Sequence, residues 1–209
     1  SEKKIFVDFE GVYKNSVVYV NGNLVGIYPN GYTGFAYDIT PYVNFGSDNP
    51  NVIVVKVQNL APSGRWYTGS GITRPVSLLI KNKTRFMRHG ITYTTPDLEQ
   101  TYNQDGSADL VVKADILSED TNGQCQIRTT VIDSEGNVVA TKTSEMVDYN
   151  PSAKLTIVDT VHVPNVNLWS IDNPYLYTIR QELIAEPNAS TEGPKVVDVV
   201  ETEYGFRWF

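Results

Sequence analysis

Apolar residues alternating at every second position, with turn dipeptides between the runs, constrain this chain more than any other feature. Ile5, Val7 and Phe9 alternate with Phe6, Asp8 and Glu10. A period of two puts successive side chains on opposite faces of a strand. Val17-Val18-Tyr19-Val20 and Leu24-Val25-Gly26-Ile27 flank Asn21-Gly22-Asn23. Asn-Gly between apolar runs predicts a hairpin, because a type I′ turn needs positive φ at both central positions. In residues 51–59, Ile53, Val55 and Val57 alternate with Val54, Lys56 and Gln58. Residues 35–39 and 75–80 read as further strands, and 29–34 (PNGYTG) as a turn-rich loop. Thr40-Pro41-Tyr42-Val43 reads as a single helical turn, with Thr40 as N-cap and Pro41 at its first position. Before residue 82 no segment has helical periodicity of useful length.

The polar run Lys81-Asn82-Lys83-Thr84-Arg85 separates this strand set from a second one and predicts a domain boundary there. Ala108, Leu110, Val112, Ala114 and Ile116 alternate, as do Cys125, Ile127, Thr129 and Val131. Ser134-Glu135-Gly136-Asn137 turns the chain into Val138-Val139-Ala140, and strands follow at 155–163, 175–179 and 195–200. About seven strands in about 115 residues, joined by short turns, predict an immunoglobulin-like sandwich. The expected fold is therefore all-β, with two β-sandwich domains. Residue 3 already lies in a strand pattern and the chain stops in Tyr204-Gly205-Phe206-Arg207-Trp208-Phe209. Both ends are expected to belong to a longer polypeptide.

Composition excludes several functions. The 209 residues carry 24 acidic and 17 basic side chains, a net charge of −7. That balance argues against general binding to nucleic acid or an anionic membrane, which needs a basic face. No run approaches the roughly 18 apolar residues of a membrane helix. The one cysteine, Cys125, leaves no internal disulfide, and with only His89 and His162 a zinc site is not expected. No cofactor is indicated. There is no Gly-x-Ser-x-Gly elbow, and no two carboxylates can be placed at glycosidase separation from sequence alone.

Two clusters stand out. In Gly64-Arg65-Trp66-Tyr67-Thr68-Gly69-Ser70-Gly71-Ile72, large aromatics precede two glycines and a new strand. As structure, Trp66 and Tyr67 would cap a sandwich core and Arg65 would pair with an acid. As function, the indole face of Trp66 would stack on a sugar ring, with Arg65 donating to a hydroxyl or holding a carboxylate. Between the two lies a loop that braces a neighbouring domain. In Asn165–Tyr177, NVNLWSIDNPYLY, the turn residues 170–174 are expected to be anchored in the core by Leu168, Trp169 and Leu176.

Several stretches, in order, resemble glycoside hydrolase family 2. Phe9-Glu10-Gly11-Val12-Tyr13, Val18-Tyr19-Val20-Asn21-Gly22, Gly31-Tyr32-Thr33-Gly34-Phe35 with Tyr37-Asp38-Ile39-Thr40, and Arg65-Trp66-Tyr67-Thr68-Gly69-Ser70-Gly71-Ile72 with Arg74 and Val76 look like its N-terminal sugar-binding domain. Leu168-Trp169-Ser170, Asn173-Pro174 and Leu176-Tyr177 look like its immunoglobulin-like domain, and Tyr204-Gly205-Phe206-Arg207 like the segment entering its catalytic barrel. The RWYTGSGI form is most similar to bacterial β-galactosidases, although β-glucuronidase and β-mannosidase relatives share the frame.

The resemblance implies residues 1–82 as a partial sugar-binding jelly-roll (galactose-binding-like) sandwich and 83–201 as an immunoglobulin-like sandwich. Residues 202–209 would start the segment leading into a missing catalytic barrel. It implies a parent enzyme, a β-galactosidase, that hydrolyses β-glycosides with retention through two barrel glutamates. This chain would then be inactive alone. Its partners would be that barrel and a β-galactoside, and a cut first domain would favour self-association. Arg65, Trp66 and Tyr67 would contact the barrel or the substrate. The competing readings are a stand-alone carbohydrate-binding module and a structural or adhesive β-sandwich protein.

Overall fold

The structure is a computed structural model that describes residues 3–46, 48–60, 69–119, 122–188 and 193–208. It divides into two compact units, Ser1–Asn82 and Lys83–Phe209. Both are built from β-sheets packed over their own apolar cores.

In the first unit the strands are β1 (Lys3–Phe9), β2 (Val12–Tyr13), β3 (Ser16–Val20), β4 (Asn23–Tyr28), β5 (Phe35–Asp38), β6 (Ile53–Lys56), β7 (Gly71–Ile72) and β8 (Val76–Asn82). They form the sheets β5-β1-β8 and β4-β3-β6 and the short pair β2-β7. Alternation sorts the side chains as the sequence predicts. Val7 and Phe9 of β1 and Val18 and Val20 of β3 are buried, together with Val12, Phe35 and Ile39. Asn21 and Gly22, at φ 49 and 82, make the β3–β4 turn with the two positive φ values that the Asn-Gly signal requires.

The helical turn is a 3₁₀ turn at Thr40–Tyr42, but Thr40 is not its cap. The cap position is Ile39, and Thr40 is the first residue of the turn. The Asp38 carboxylate accepts the Thr40 N–H at 2.9 Å, while the Thr40 hydroxyl accepts the Ile5 N–H at 2.9 Å. Thr40 thus ties the turn to β1 instead of capping it.

The second unit comprises β9 (Arg85–Thr94), α1 (Leu98–Asp105), β10 (Ala108–Leu117), β11 (Gly123–Ile132), β12 (Val138–Thr143), β13 (Val147–Tyr149), β14 (Lys154–Val163), β15 (Tyr177–Pro187) and β16 (Lys195–Tyr204). Its sheets are β14-β10-β9 and β12-β11-β15-β16, with β13 also paired to β11. Ala108, Leu110, Val112, Ala114 and Ile116 face inward from β10, against Cys125, Ile127 and Val131 of β11 and Ile179 and Leu183 of β15. Two buried polar contacts tie strands together: the Thr129 hydroxyl donates to Gln181 at 2.9 Å, and the Phe86 N–H donates to Asp198 at 3.1 Å.

Three elements in this unit depart from a plain reading of the sequence. The polar run at 81–85 is strand at three of its five residues, because β8 ends at Asn82 and β9 starts at Arg85, with only Lys83 and Thr84 between. Strand β9 carries a bulge, since Ala114 pairs with Ile91 and Ile116 with Phe86; His89 sits within it at φ 52. Helix α1 is new. It buries only Leu98 and ends at Gly106, φ 78, whose N–H returns to the Tyr102 carbonyl at 2.8 Å.

Candidate functional site

Arg65, Trp66 and Tyr67 fall in residues 61–68, outside the described residues. The two stems of their loop are described, and both land on residues 11–15. On the outgoing side the Gln58 N–H donates to the Lys14 carbonyl at 3.1 Å, and the Asn15 side-chain amide donates to the Gln58 carbonyl at 3.1 Å. On the return side Gly71 pairs with Tyr13 and Ile72 with Val12. The Thr73 N–H then donates to the Gly11 carbonyl at 3.0 Å. Gly71 has φ 125, a conformation a side chain rarely adopts, so the second glycine of Gly69-Ser70-Gly71 lets the chain bend back into β7.

The stems stand beside a group of aromatic residues. The largely buried Tyr13 ring meets the Tyr32 ring edge-on at 5.4 Å, and the Lys14 ammonium lies 5.5 Å from the Tyr13 centroid. Tyr32 itself is 64% exposed. Its hydrogen bond with Tyr13 leads the causes that raise its phenol above the ordinary range, so it stays a neutral donor and acceptor. Below them, Tyr28 stacks on Phe35 at 4.4 Å and Phe35 on Phe9 at 5.0 Å, which fixes the loop base to the first core. This end offers ring faces, hydroxyls and an ammonium, and so it has the chemistry of binding.

In the second cluster, the Trp169 N–H donates to the Phe206 carbonyl at 2.8 Å. The Arg207 guanidinium lies 4.7 Å over the indole. Leu168 packs at the core margin, but Leu176 does not anchor the turn; it is 39% exposed. Tyr177, the next residue and the first of β15, is buried. The buried anchors are Val166, Tyr177 and Phe206. The Tyr177 hydroxyl accepts the Asn167 N–H at 2.9 Å, a reason for a tyrosine there. Leu176 instead joins Trp169, Glu203, Tyr204, Gly205 and Arg207 around an open cavity of about 410 Å³.

Ionisable groups in both units serve the fold. Asp38 is held below the ordinary carboxylate range: burial opposes this, but hydrogen bonds from Lys4 and Thr40 together outweigh it. Glu182 is lowered by its hydrogen bond from Arg128, Asp115 by Thr156 and Lys154, and Asp133 by Asn137. A glycosidase acid requires the opposite displacement. Burial pushes the Cys125 thiol up to about 12. His162 meets Asp109 at 2.9 Å on the exposed side of β14. Among the described residues no three of His, Cys, Asp and Glu converge as metal ligands.

Comparison with known proteins matches this chain to two consecutive family models. Residues 1–82 match the model described as glycosyl hydrolases family 2, sugar binding domain, and residues 91–207 match glycosyl hydrolases family 2. A beta-galactosidase from Bacteroides ovatus is 38% identical over 210 residues, covering 99% of this chain and 23% of that protein. A putative beta-glucuronidase from Formosa agariphila is 34% identical over 206 residues, covering 98% of this chain and 18% of that protein. A solved structure of a glycosyl hydrolase family 2 member from Bacteroides cellulosilyticus superposes with a TM-score of 0.85 at 34% identity, covering 98% of this chain and 25% of that one. The chain therefore spans only about a fifth of the curated relatives' length.

Proposed function

Because this chain belongs to glycosyl hydrolases family 2, we propose that it forms the non-catalytic sandwich portion of a retaining β-glycosidase, with β-galactosides as substrate. In this reading residues 1–82 are the sugar-binding jelly roll, 83–201 the immunoglobulin-like domain, and 202–209 the approach to a catalytic barrel in the same polypeptide. The observation that carries it is the ordered match of both family models along a chain that spans 23% of a beta-galactosidase. The carboxylates support the division of labour. Retention needs an acid/base and a nucleophile about 5–5.5 Å apart, whereas Asp38, Asp115 and Glu182 are ion-paired to Lys4, Lys154 and Arg128.

The Arg65-Trp66-Tyr67 loop takes the bracing role against that barrel, beside its active-site rim. Its stems fixed to residues 11–15 support this, since a loop that positions another domain needs a rigid base. The beta-glucuronidase relative favours a second reading, in which the sugar carries a carboxylate.

The test is hydrolysis of p-nitrophenyl β-galactoside and p-nitrophenyl β-glucuronide by the full-length parent enzyme and by this chain. The expected result is β-galactoside turnover by the parent and none by the chain. Preference of the parent for the glucuronide transfers the assignment to the second reading; activity that copurifies with the isolated chain removes the non-catalytic role. Trp66→Ala should lower kcat/KM in the parent while changing the unfolding free energy of this chain alone by less than about 0.5 kcal/mol. A large loss of stability would make Trp66 a core residue instead.

A further inference from the structure

The sequence contains three Asn-Gly steps, Asn21-Gly22, Asn30-Gly31 and Asn122-Gly123. In such a step the glycine nitrogen can attack the asparagine carboxamide carbon. No glycine side chain obstructs the approach, and glycine leaves the backbone free to close the ring. The structure treats the three steps differently. Gly31 and Gly123 are buried. An ideal Cβ on Gly31 would lie 2.2 Å from the Tyr13 ring, and one on Gly123 would lie 2.5 Å from both the Glu186 carbonyl and the Tyr149 hydroxyl. Close packing therefore holds the attacking residue still at these two steps. Gly22 is exposed, with nothing within 4 Å of such a Cβ, so packing restrains no nucleophile there.

At Asn21 it is the carboxamide that is held. Its nitrogen donates to the Tyr42 carbonyl and to Asn51 Oδ1, each at 2.8 Å, and its oxygen accepts the Val52 N–H at 2.8 Å. Asn51 Oδ1 also accepts the Asn44 N–H at 2.7 Å, and Asn51 Nδ2 donates to the Asn44 carbonyl at 2.9 Å. Main-chain groups have fixed donor and acceptor roles, so they set which end of each side-chain amide is oxygen. The network clasps the β3–β4 turn to segment 42–52. Ring closure makes Cγ a tetrahedral centre and expels Nδ2, so it cannot proceed with all three Asn21 bonds in place. Three bonds of ordinary net strength slow the closure on the order of 100-fold.

We propose that Asn21 is a site of spontaneous covalent modification: deamidation through a succinimide with Gly22, held in check by the 42–52 clasp, with a product that cannot rebuild the clasp. The Gly22 nitrogen bonds to Asn21 Cγ, the Cγ–Nδ2 bond breaks, and the proton from the Gly22 nitrogen leaves with Nδ2 as ammonia. Water then opens the ring at either carbonyl and gives aspartate or isoaspartate; nothing is oxidised or reduced. Aspartate sets a carboxylate oxygen against the Tyr42 carbonyl and Asn51 Oδ1, where the amide had donated. Turning the Asn51 amide over moves the conflict to Asn44, whose N–H would then face an NH₂ group. Isoaspartate routes the main chain through the side-chain methylene and lengthens a turn that fits two residues. Opening of the segment thus permits a reaction that keeps it open.

The test is peptide mapping by mass spectrometry on this 209-residue chain, aged in mildly alkaline buffer with and without urea. Asn30 and Asn122 are read from the same digests as internal references. Asn21 should gain about one mass unit readily in urea and on the order of 100-fold more slowly in native buffer. Asn51→Ala, which removes one partner, should speed the native reaction at Asn21 about 5-fold or more, with Asn30 and Asn122 unchanged. Asn21→Asp should raise amide hydrogen exchange at Asn44 and Val52 about 10-fold or more. Equal native and unfolded rates at Asn21 overturn the proposal, as does an unmodified Asn21 in urea. Acceleration of Asn30 together with Asn21 in Asn51→Ala would show that the clasp acts only by keeping the unit folded, and overturns it too. So does unchanged exchange in Asn21→Asp. None of these readouts depends on catalytic activity.

Discussion

A methyl group on residue 31 has no room. An ideal Cβ there would lie 2.2 Å from the Tyr13 ring, far inside contact distance. That ring is already flanked by Tyr32 and Lys14. Gly31→Ala should therefore destabilise the first unit by about 1–3 kcal/mol, the usual cost of overpacking. Urea unfolding with an unmoved midpoint would refute it. Glu182 supports a prediction about pH. Its hydrogen bond from Arg128 at 2.6 Å holds its folded pKa below the ordinary glutamate value. A depressed carboxylate contributes stability that is complete above the unfolded value, about 4.3, and is lost as pH falls through the lower folded one. Glu182→Gln should thus be less stable at neutral pH but lose less on acidification below about pH 4.3. Parallel stability curves for the two proteins would contradict this. At this scale the sequence was most informative where one residue type answers one backbone demand. Asn21-Gly22 announced its turn because few other pairs tolerate two positive φ values. Thr40 misled because its hydroxyl could serve a cap or a neighbouring strand, and only tertiary contact with Ile5 decides between them.

Alternation made most strands readable, since one buried and one solvated face leave a period-two record; β10 buries every second residue for its whole length. The elements that escaped leave weaker records. Strands β2 and β7 are two residues each, too short for any period. Helix α1 has two turns and a single buried residue, so no apolar stripe marks it; its only signals were Pro96-Asp97 before it and Gly106 after it. Strand β9 hid because its bulge interrupts the alternation and its first residue, Arg85, is a buried cation paired with Glu119. Leu176 looked like an anchor because it is apolar, but β15 starts one residue later, at the buried Tyr177. The segment after β16 matters in the same way. Phe206 is fully buried and meets Tyr177 and Tyr204 edge-on, each at 5.1 Å. Phe206→Ala should cost the second unit about 3–5 kcal/mol. A loss under about 1 kcal/mol, within the range of ordinary point changes, would mean that these last residues merely lie along the unit.

For the whole molecule, the sequence motifs carried the family because they occur as an ordered set, while the candidate loop stayed the least legible part. Its aromatics could serve a core, a sugar or another domain, and the described stems show where the loop is fixed, not what it touches. The chain also contains its own reporter of opening. Cys125 is the one thiol, it is fully buried among the side chains of β10 and β15, and burial pushes its pKa to about 12. Alkylating reagents attack the thiolate, which needs water around it. A folded molecule should therefore ignore iodoacetamide, and any labelling should proceed only through excursions that expose β11. When reclosing outpaces the chemistry, the labelling rate follows the free energy of that excursion. Added denaturant should raise the rate steeply, and Phe206→Ala should raise it in native buffer. Fast alkylation insensitive to both would show that the thiol is reachable without opening. The same burial means that chains joined in solution are not joined through sulfur. A band at twice the monomer mass on a non-reducing denaturing gel would report molecules that had first come apart.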